Sequence, residues 1–323
     1  MGLPILGYLP FLGQTPAIKL AELSKKYGDL FTLKMGHQLV LFVNDVENMK
    51  EMGRMDNFLG RIQLDIMKDY RQFCGLSYLE KEGWTEWRRF TLKTLKKVGL
   101  GQISMENLIL AQVQEFCNFL SSHQNCPLYL QESIEIATLN SLWCILTGEK
   151  YELDDPEKKE ILKTITAGIT DQNLIGIVVF LPWLGKIFPK MTGWAKAVKC
   201  LESPIQMAKN IVEKHKVKYS QGYETDFIDL ALTKIYATTD PNSHFYQELG
   251  TKHLLYTILD LFFTGSDAIS IPFLAAQPNC FSINFYAQPA FPSISHEDPA
   301  QTRWENENTG NEIGKPFCFA KIS

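Results

Sequence analysis

Residues 254–270, LLYTILDLFFTGSDAIS, constrain this chain more than any other stretch. Leu254, Leu255, Ile258, Leu259, Phe262 and Phe263 recur at i, i+1, i+4, i+5, i+8 and i+9. That spacing lays one wide apolar face along several helical turns. Thr264, Gly265, Ser266 and Asp267 then break the face with small and polar groups. Glycine inside a helix costs about 1 kcal/mol relative to alanine, so Gly265 points to a close approach by something bulky. A kinked core helix with a capped end accounts for the same letters.

After this run the pattern changes. Pro272 biases Ile271 away from helical angles, so the helix is expected to stop at Ser270. Residues 271–323 hold six of the chain's fifteen prolines and no apolar period, and they read as an unrelated, disordered, proline-rich tail. Burying a Leu, Ile or Phe contributes about 1.5–3 kcal/mol, so six such residues stripped of partners would forfeit about 9–18 kcal/mol. A domain's net stability is only ~5–15 kcal/mol, which makes the packing of this helix decisive.

Upstream, the Pro- and Gly-rich lead-in of residues 1–16 precedes a short helix at Ala17–Tyr27. FTLKM (Phe31–Met35) and QLVLFVN (Gln38–Asn44), joined around Gly36, read as a β-hairpin. Helical patterns then dominate: Gly83–Val98, Met105–Ser121, Gln131–Leu146, Pro156–Ala167, Trp194–Tyr219, Asp226–Tyr236 and Phe245–Ser270. The fold class is mainly α with a small β-hairpin.

A chain of 323 residues with 45% hydrophobic content can bury a sizeable core, in one large domain or two smaller ones. The net charge of −4 offers no global basic field for nucleic acid. Seven cysteines without a CxxC pair argue against a disulfide scaffold or a zinc site and suggest a reducing compartment. The six histidines show no metal-ligand spacing and read as surface or polar-cap residues. No run approaches the ~20 apolar residues of a membrane span, since LIGIVVFL (Leu174–Leu181) ends at Pro182. Met1-Gly2-Leu3-Pro4 lacks the charged start and apolar core of a signal peptide. A soluble or peripherally attached chain is expected.

The chemistry-bearing residues begin in KEGWTEWRRFTLKTLKKVGLG. Trp84 and Arg88 are four apart and share a helix face, where an indole N–H and a guanidinium can grip a carboxylate or phosphate. A surface aromatic–cation pair is the commoner meaning of that spacing. Arg89, Lys93, Lys96 and Lys97 make the same helix strongly basic, either as a solvated face or as a dock for an acidic partner.

Five segments in order (GLPILGYLPFLG, KKYGDLFTLKMGHQLVLFVND, WTEWRRFTLKTLKKVGLG, TDFIDLAL and LDLFFTGSDAIS) resemble the amino-terminal half of an animal microsomal cytochrome P450, a haem-thiolate monooxygenase. The resemblance spans about residues 2–270 and divides the chain into a partial P450 domain (1–270) and the tail (271–323). It implies an incomplete P450 fold, truncated after the central long helix. It implies haem as cofactor, with Trp84 and Arg88 at a propionate. It also implies a small apolar substrate and an NADPH–cytochrome reductase docking on Arg89, Lys93, Lys96 and Lys97. Thr264, Gly265 and Asp267 match the oxygen-activating notch of the central helix, with Asp267 the acidic residue of proton delivery. Ala268 stands where the family usually has a hydroxyl-bearing threonine. FLPWLGKIFP (Phe180–Pro189) resembles the loop facing the membrane over the substrate channel, a buried loop being the plain alternative. The implied place is the cytoplasmic face of the endoplasmic reticulum membrane; without the family's amino-terminal anchor, a cytoplasmic or peripheral protein is expected.

The family's iron ligand is a cysteine thiolate in a loop carrying Phe, Gly and Arg. Cys280 in QPNCFS and Cys318 in KPFCFA lack those neighbours, so no metal ligand is assigned. The Glu-x-x-Arg pair that follows the central helix is also missing; Glu51 and Arg54 have the spacing but precede the helix. The expectation is a P450 relative inactive as a monooxygenase. One alternative is a non-catalytic truncated isoform or a faulty gene model. Another is a helical protein that binds an apolar ligand or the reductase.

Overall fold

The computed structural model describes residues 2–13, 16–58, 60–61, 64–123, 130–150, 152–153, 155–156, 160, 179–220, 222–275 and 318–321; for 130–132, 135, 265–275 and 318–321 it describes backbone only. Helix α1 (Pro16–Tyr27) leads into strands β1 (Leu30–Met35) and β2 (Gln38–Val43). Helices α2 (Val46–Met52), α3 (Asp65–Arg71), α4 (Lys81–Lys97), α5 (Ile103–Ser122) and α6 (Leu130–Thr147) follow. Then come α7 (Pro182–Ile187), α8 (Trp194–Lys218), α9 (Phe227–Ala237) and the long α10 (Gln247–Ala275). A four-residue strand, β3 (Cys318–Lys321), completes the described chain.

The hairpin closes through a two-residue turn at Gly36 and His37, in register from Leu30↔Val43 to Met35↔Gln38. Gly36 takes φ +60°, which lets so short a turn match the twist of the strands. Phe31, Met35, Val40 and Phe42 bury one hairpin face against Leu20 and Leu23 of α1, a small core of its own. The main core gathers Trp87 of α4, Trp143 of α6, Ile211 of α8, Phe227 of α9 and the first half of α10. Leu254, Leu255, Ile258, Leu259 and Phe262 are all buried there, and Phe263 packs at its edge. The apolar face of α10 is thus satisfied by α6, α8 and α9 within this chain.

Two boundaries differ from expectation. Helix α10 runs five residues past Ser270 and takes Pro272 into its last turns. Proline removes one ladder bond at a cost of about 3 kcal/mol, but a long helix already nucleated and packed can absorb it. Pro204 inside α8 is a second case, and it is buried. Within the expected tail, Cys318–Lys321 pairs antiparallel with β2, from Val43↔Cys318 to Val40↔Lys321, making a three-stranded sheet of order β1-β2-β3. The free edge of β2 offers unpaired backbone groups that a short extended run can satisfy. Residues 276–317 of that tail, and most of the expected helix Pro156–Ala167, lie outside the described residues.

Asp226 fixes the α8–α9 corner. Its Oδ1 accepts from the Asp229 N–H at 3.0 Å as the N-cap of α9, and its Oδ2 meets His215 Nε2 at 3.0 Å. His215 Nδ1 is 2.9 Å from the Ile211 carbonyl, which can only accept, so both ring nitrogens act as donors and the imidazolium is the form that satisfies the site. Burial opposes that charge, but the bonds to Asp226 and Ile211 and the nearby Asp229 outweigh it and raise the pKa. Asp229 brings a third ligand-type atom to this corner, a grouping that sequence spacing did not show; every one of these bonds is internal to the fold.

A second tie joins α3 to α10. Arg71 Nη2 donates to Asp260 Oδ1 at 2.6 Å and to the Tyr256 carbonyl at 3.0 Å, with both charged side chains buried. The Ser77 N–H donates to Asp260 Oδ2 at 2.9 Å. The guanidinium lies between the rings of Tyr78 and Tyr256, 4.9 and 5.0 Å from their centroids. Burial pushes the Asp260 carboxyl up, against the pull of Arg71 and of Ser77. Gly75, at φ +99°, passes so close that a Cβ there would lie 2.7 Å from both Arg71 Nη2 and Asp260 Oδ2.

Three variants test these ties. Asp226→Ala should cost about 2–4 kcal/mol in urea unfolding, from a lost cap plus a stranded imidazolium. Because His215 is raised, its contribution is full below the ordinary histidine value of 6.5 and is lost as pH rises through the folded value; thermal melts from pH 6 to 8 should show that loss in the wild type and not in Asp226→Ala. Asp260→Ala strands a buried guanidinium and should cost about 3–5 kcal/mol by the same unfolding measurement, and Gly75→Ala should destabilise through both clash and backbone strain.

Candidate functional site

Helix α4 carries its two tryptophans to different ends. Trp87 is fully buried, its ring stacked on Phe245 at 4.2 Å and its Nε1 donating to the His244 carbonyl at 3.1 Å. Trp84, three positions earlier, is half-buried at the helix surface. Arg88 is exposed and holds its guanidinium 5.1 Å from the Trp84 ring centroid. Arg61 lies 6.0 Å from the same ring, its own N–H donating to Glu80 Oε1 at 2.7 Å. Two guanidiniums therefore converge on one indole, each with donors left for an anion.

Sequence spacing found Trp84 and Arg88 and missed Arg61. Arg61 is 23 residues before Trp84, outside any helical period, and only the fold of the intervening α3 and its loop returns the chain to α4. Arg89, Lys93, Lys96 and Lys97 are all exposed, and their spacing places them along the solvent side of α4.

In α10 the notch residues lie within a continuous helix. Thr264 is exposed, and its hydroxyl donates back to the Asp260 carbonyl at 2.9 Å. Gly265, Ser266, Asp267 and Ala268 continue the helical backbone. Asp267 stands seven residues after Asp260, hence on the same side of the helix two turns on. The structure does not gather Thr264 with Trp84 or Arg88 through any described hydrogen bond.

Three further features bear on ligands. A groove of ≈ 800 Å³ runs where α3, α8 and α10 meet, lined by Asp69, Tyr70, Glu202, Met207 and Tyr256 among others. In the Phe180–Pro189 segment, Phe180 packs against the hairpin core and Leu181 is buried, but Trp183, Ile187 and Phe188 stand exposed on or just after α7, with Met191 beyond. This segment is not the buried loop that its apolar letters also allowed. Gly36 accepts no Cβ because the Phe180 carbonyl is so near, and its N–H donates to the Leu6 carbonyl at 3.1 Å. Gly36 thus brings the backbone at Leu6 and at Phe180 together, and Leu3 and Ile5 are exposed nearby in sequence.

Convergent guanidiniums beside an indole N–H suit the propionates of a haem. Burial pushes the thiols of Cys74 and Cys144 up, away from the thiolate, and Cys117 is exposed on α5.

The family model for cytochrome P450 matches residues 1–275. Cytochrome P450 18a1 of Drosophila melanogaster is 25% identical over 282 residues, covering 84% of this chain and 52% of that protein. Cytochrome P450 2B2 of Rattus norvegicus is 26% identical over 270 residues (82% and 54%), and cytochrome P450 2J2 of Homo sapiens is 27% identical over 279 residues (81% and 53%). The chain spans about half the length of these relatives. Matched by the family model from its first residue to the end of α10, the chain belongs to the cytochrome P450 family.

Proposed function

We propose that this chain supplies the propionate-gripping and oxygen-notch portion of a haem monooxygenase fold, and that by itself it is inactive in monooxygenation. The observation that carries the reading is the convergence of Arg61 and Arg88 on Trp84. A thiolate-held haem supplies oxygen activation in this family. The residues of this chain act around it. Arg61, Trp84 and Arg88 bind and orient its carboxylates. Asp267 and Thr264 lie on the helix that would face bound oxygen, and Ala268 brings no hydroxyl there. The context of Cys280 and Cys318 supports the inactivity, since neither has the neighbours of the iron-ligating loop. The expected tail, 271–323, is taken as unrelated to the family in sequence, although the family match runs on to residue 275 and Cys318–Lys321 pairs with β2.

The exposed basic face of Arg89, Lys93, Lys96 and Lys97 supports docking of an acidic reductase. Exposed Trp183, Ile187 and Phe188, together with Leu3 and Ile5, support peripheral contact with a membrane, the endoplasmic reticulum being the family's place. No helix among the described residues is long and apolar enough to cross one. The substrate is a small apolar molecule by family expectation.

Titration of haemin into the purified chain, followed by its Soret absorbance, tests the grip. Arg88→Ala and Arg61→Ala should each weaken binding by about tenfold or more, as lost charged hydrogen bonds do. Haemin dimethyl ester, whose carboxylates are blocked, should bind the wild type and both variants alike. Equal weakening for the ester would refute the propionate role. A thiolate-type spectrum of the reduced carbon monoxide complex would refute the inactivity. In a separate assay, salt-sensitive binding to the reductase should disappear in the charge-reversed pair Lys93→Glu and Lys96→Glu.

A further inference from the structure

Two histidines that the site does not use lie against its supporting helix. His253 of α10 is buried, although its sequence gave it a surface or capping place. Its Nδ1 accepts from the Gly75 N–H at 3.4 Å, and its Nε2 meets His244 Nδ1 at 3.2 Å. The backbone N–H can only donate, so His253 Nδ1 carries no proton and Nε2 carries one. That proton points at His244 Nδ1, which must therefore be bare. The array exists only with both rings neutral and each in a single tautomer.

His244 in turn is fastened to α4. Glu86 accepts from the His244 N–H at 3.3 Å and from the Ser243 hydroxyl at 2.9 Å, and Trp87 donates to the His244 carbonyl. The His244 ring lies flat over Gly83, where a Cβ would come within 2.5 Å of Nε2. Gly83 directly precedes Trp84. One hydrogen-bonded line thus runs from the loop at Gly75 through α10 and His244 to Glu86 and Trp87 of α4, with the His244 ring packed on Gly83 beside Trp84.

We propose that the His244–His253 pair is a positioning device: while His253 is neutral the pair locks residues 72–88, and with them Trp84 and Arg88, to α10, and it releases them when His253 gains a proton. Its bearing on ligand binding rests on the propionate reading, but the lock itself does not.

The charged groups around the pair do not substitute for it. On α10, Lys252 is engaged by Glu248 at 3.1 Å and by Gln72 at 3.2 Å. Arg71 and Asp260 neutralise each other across α3 and α10, Cys74 in the loop is an un-ionised thiol, and Glu86 of α4 is spent on the Ser243–His244 turn. Burial first, and His244 second, hold the His253 pKa down to about 4 from 6.5. The unfolded chain takes up the proton that the folded chain resists, so stability is lost as pH falls from 6.5 toward 4.

Hydrogen–deuterium exchange of the purified chain, without haemin and corrected for intrinsic rates, tests the lock. Amides of residues 72–88 should exchange at least tenfold faster at pH 5 than at pH 7, while residues 194–212 of α8 hold their protection. His253→Phe keeps the ring and removes the bonds, so it should already be fast at pH 7. The double variant H244Q/H253Q offers an acceptor and a donor at each position and does not titrate; it should stay protected at both pH values. Wild-type exchange that is unchanged across the range overturns the proposal, as does acid loosening of the double variant equal to the wild type. Failure of haemin to bind would remove the propionate reading and leave this result standing.

Discussion

The buried pairing of Arg71 with Asp260 sets the terms for everything around α10. A carboxylate in the middle of an apolar helix is costly unless its charge is met and its lone pairs are filled. Asp260 meets both conditions with groups from one short stretch of chain: the Arg71 guanidinium and the Ser77 N–H. Replacing both charges by apolar groups could serve stability as well, so the gain lies in specificity. Only one placement of residues 71–78 lets the guanidinium sit between Tyr78 and Tyr256 while Gly75 threads past. That placement also delivers the Gly75 N–H to His253 and returns the chain to α4 with Trp84 facing outward. The indole–guanidinium cluster at the surface is therefore backed by the interior.

Legibility in the sequence followed the range of the interactions. Helices that bury one stripe declared themselves: α8 was expected at Trp194–Tyr219 and found at Trp194–Lys218, and α4 at Gly83–Val98 and found at Lys81–Lys97. The hairpin was plain because alternation and Gly36 agreed. Trp84 and Arg88 could be paired because a helix brings i and i+4 together whatever the rest of the chain does. Arg61, the Arg71–Asp260 pair and the histidine pair could not, since their partners meet only after tertiary folding, and Asp260 stands 189 residues from Arg71. Pro272 misled for a related reason: the local rule that a proline disfavours helix before it is weaker than a long packed helix already in place.

The packing of α10 also corrects the sense in which the family fold is incomplete. Leu254, Leu255, Ile258, Leu259 and Phe262 find their partners on α6, α8 and α9, so the first half of the helix needs nothing more. Burial of five such residues is worth about 7–15 kcal/mol, comparable to a whole domain's margin. The polar break begins where that packing ends, with Thr264 already exposed and its hydroxyl turned back to the Asp260 carbonyl. The packed core and the polar break are therefore consecutive along one helix.

Two kinds of pre-organisation follow, and they differ in how they can fail. The indole and guanidiniums at the surface are held by cation–π contacts worth only about 0.5–1 kcal/mol each, so an anion must find them largely by their placement. The proposed lock behind them is a buried line of hydrogen bonds through His244 and His253, where one added proton turns a donor–acceptor pair into two opposed donors. Loss of one guanidinium weakens the surface cluster but leaves the other beside the indole. The buried line has no such redundancy. On the proposed reading, an anion site built this way gains rigidity at neutral pH, at the cost of depending on the protonation of residues that never touch the ligand.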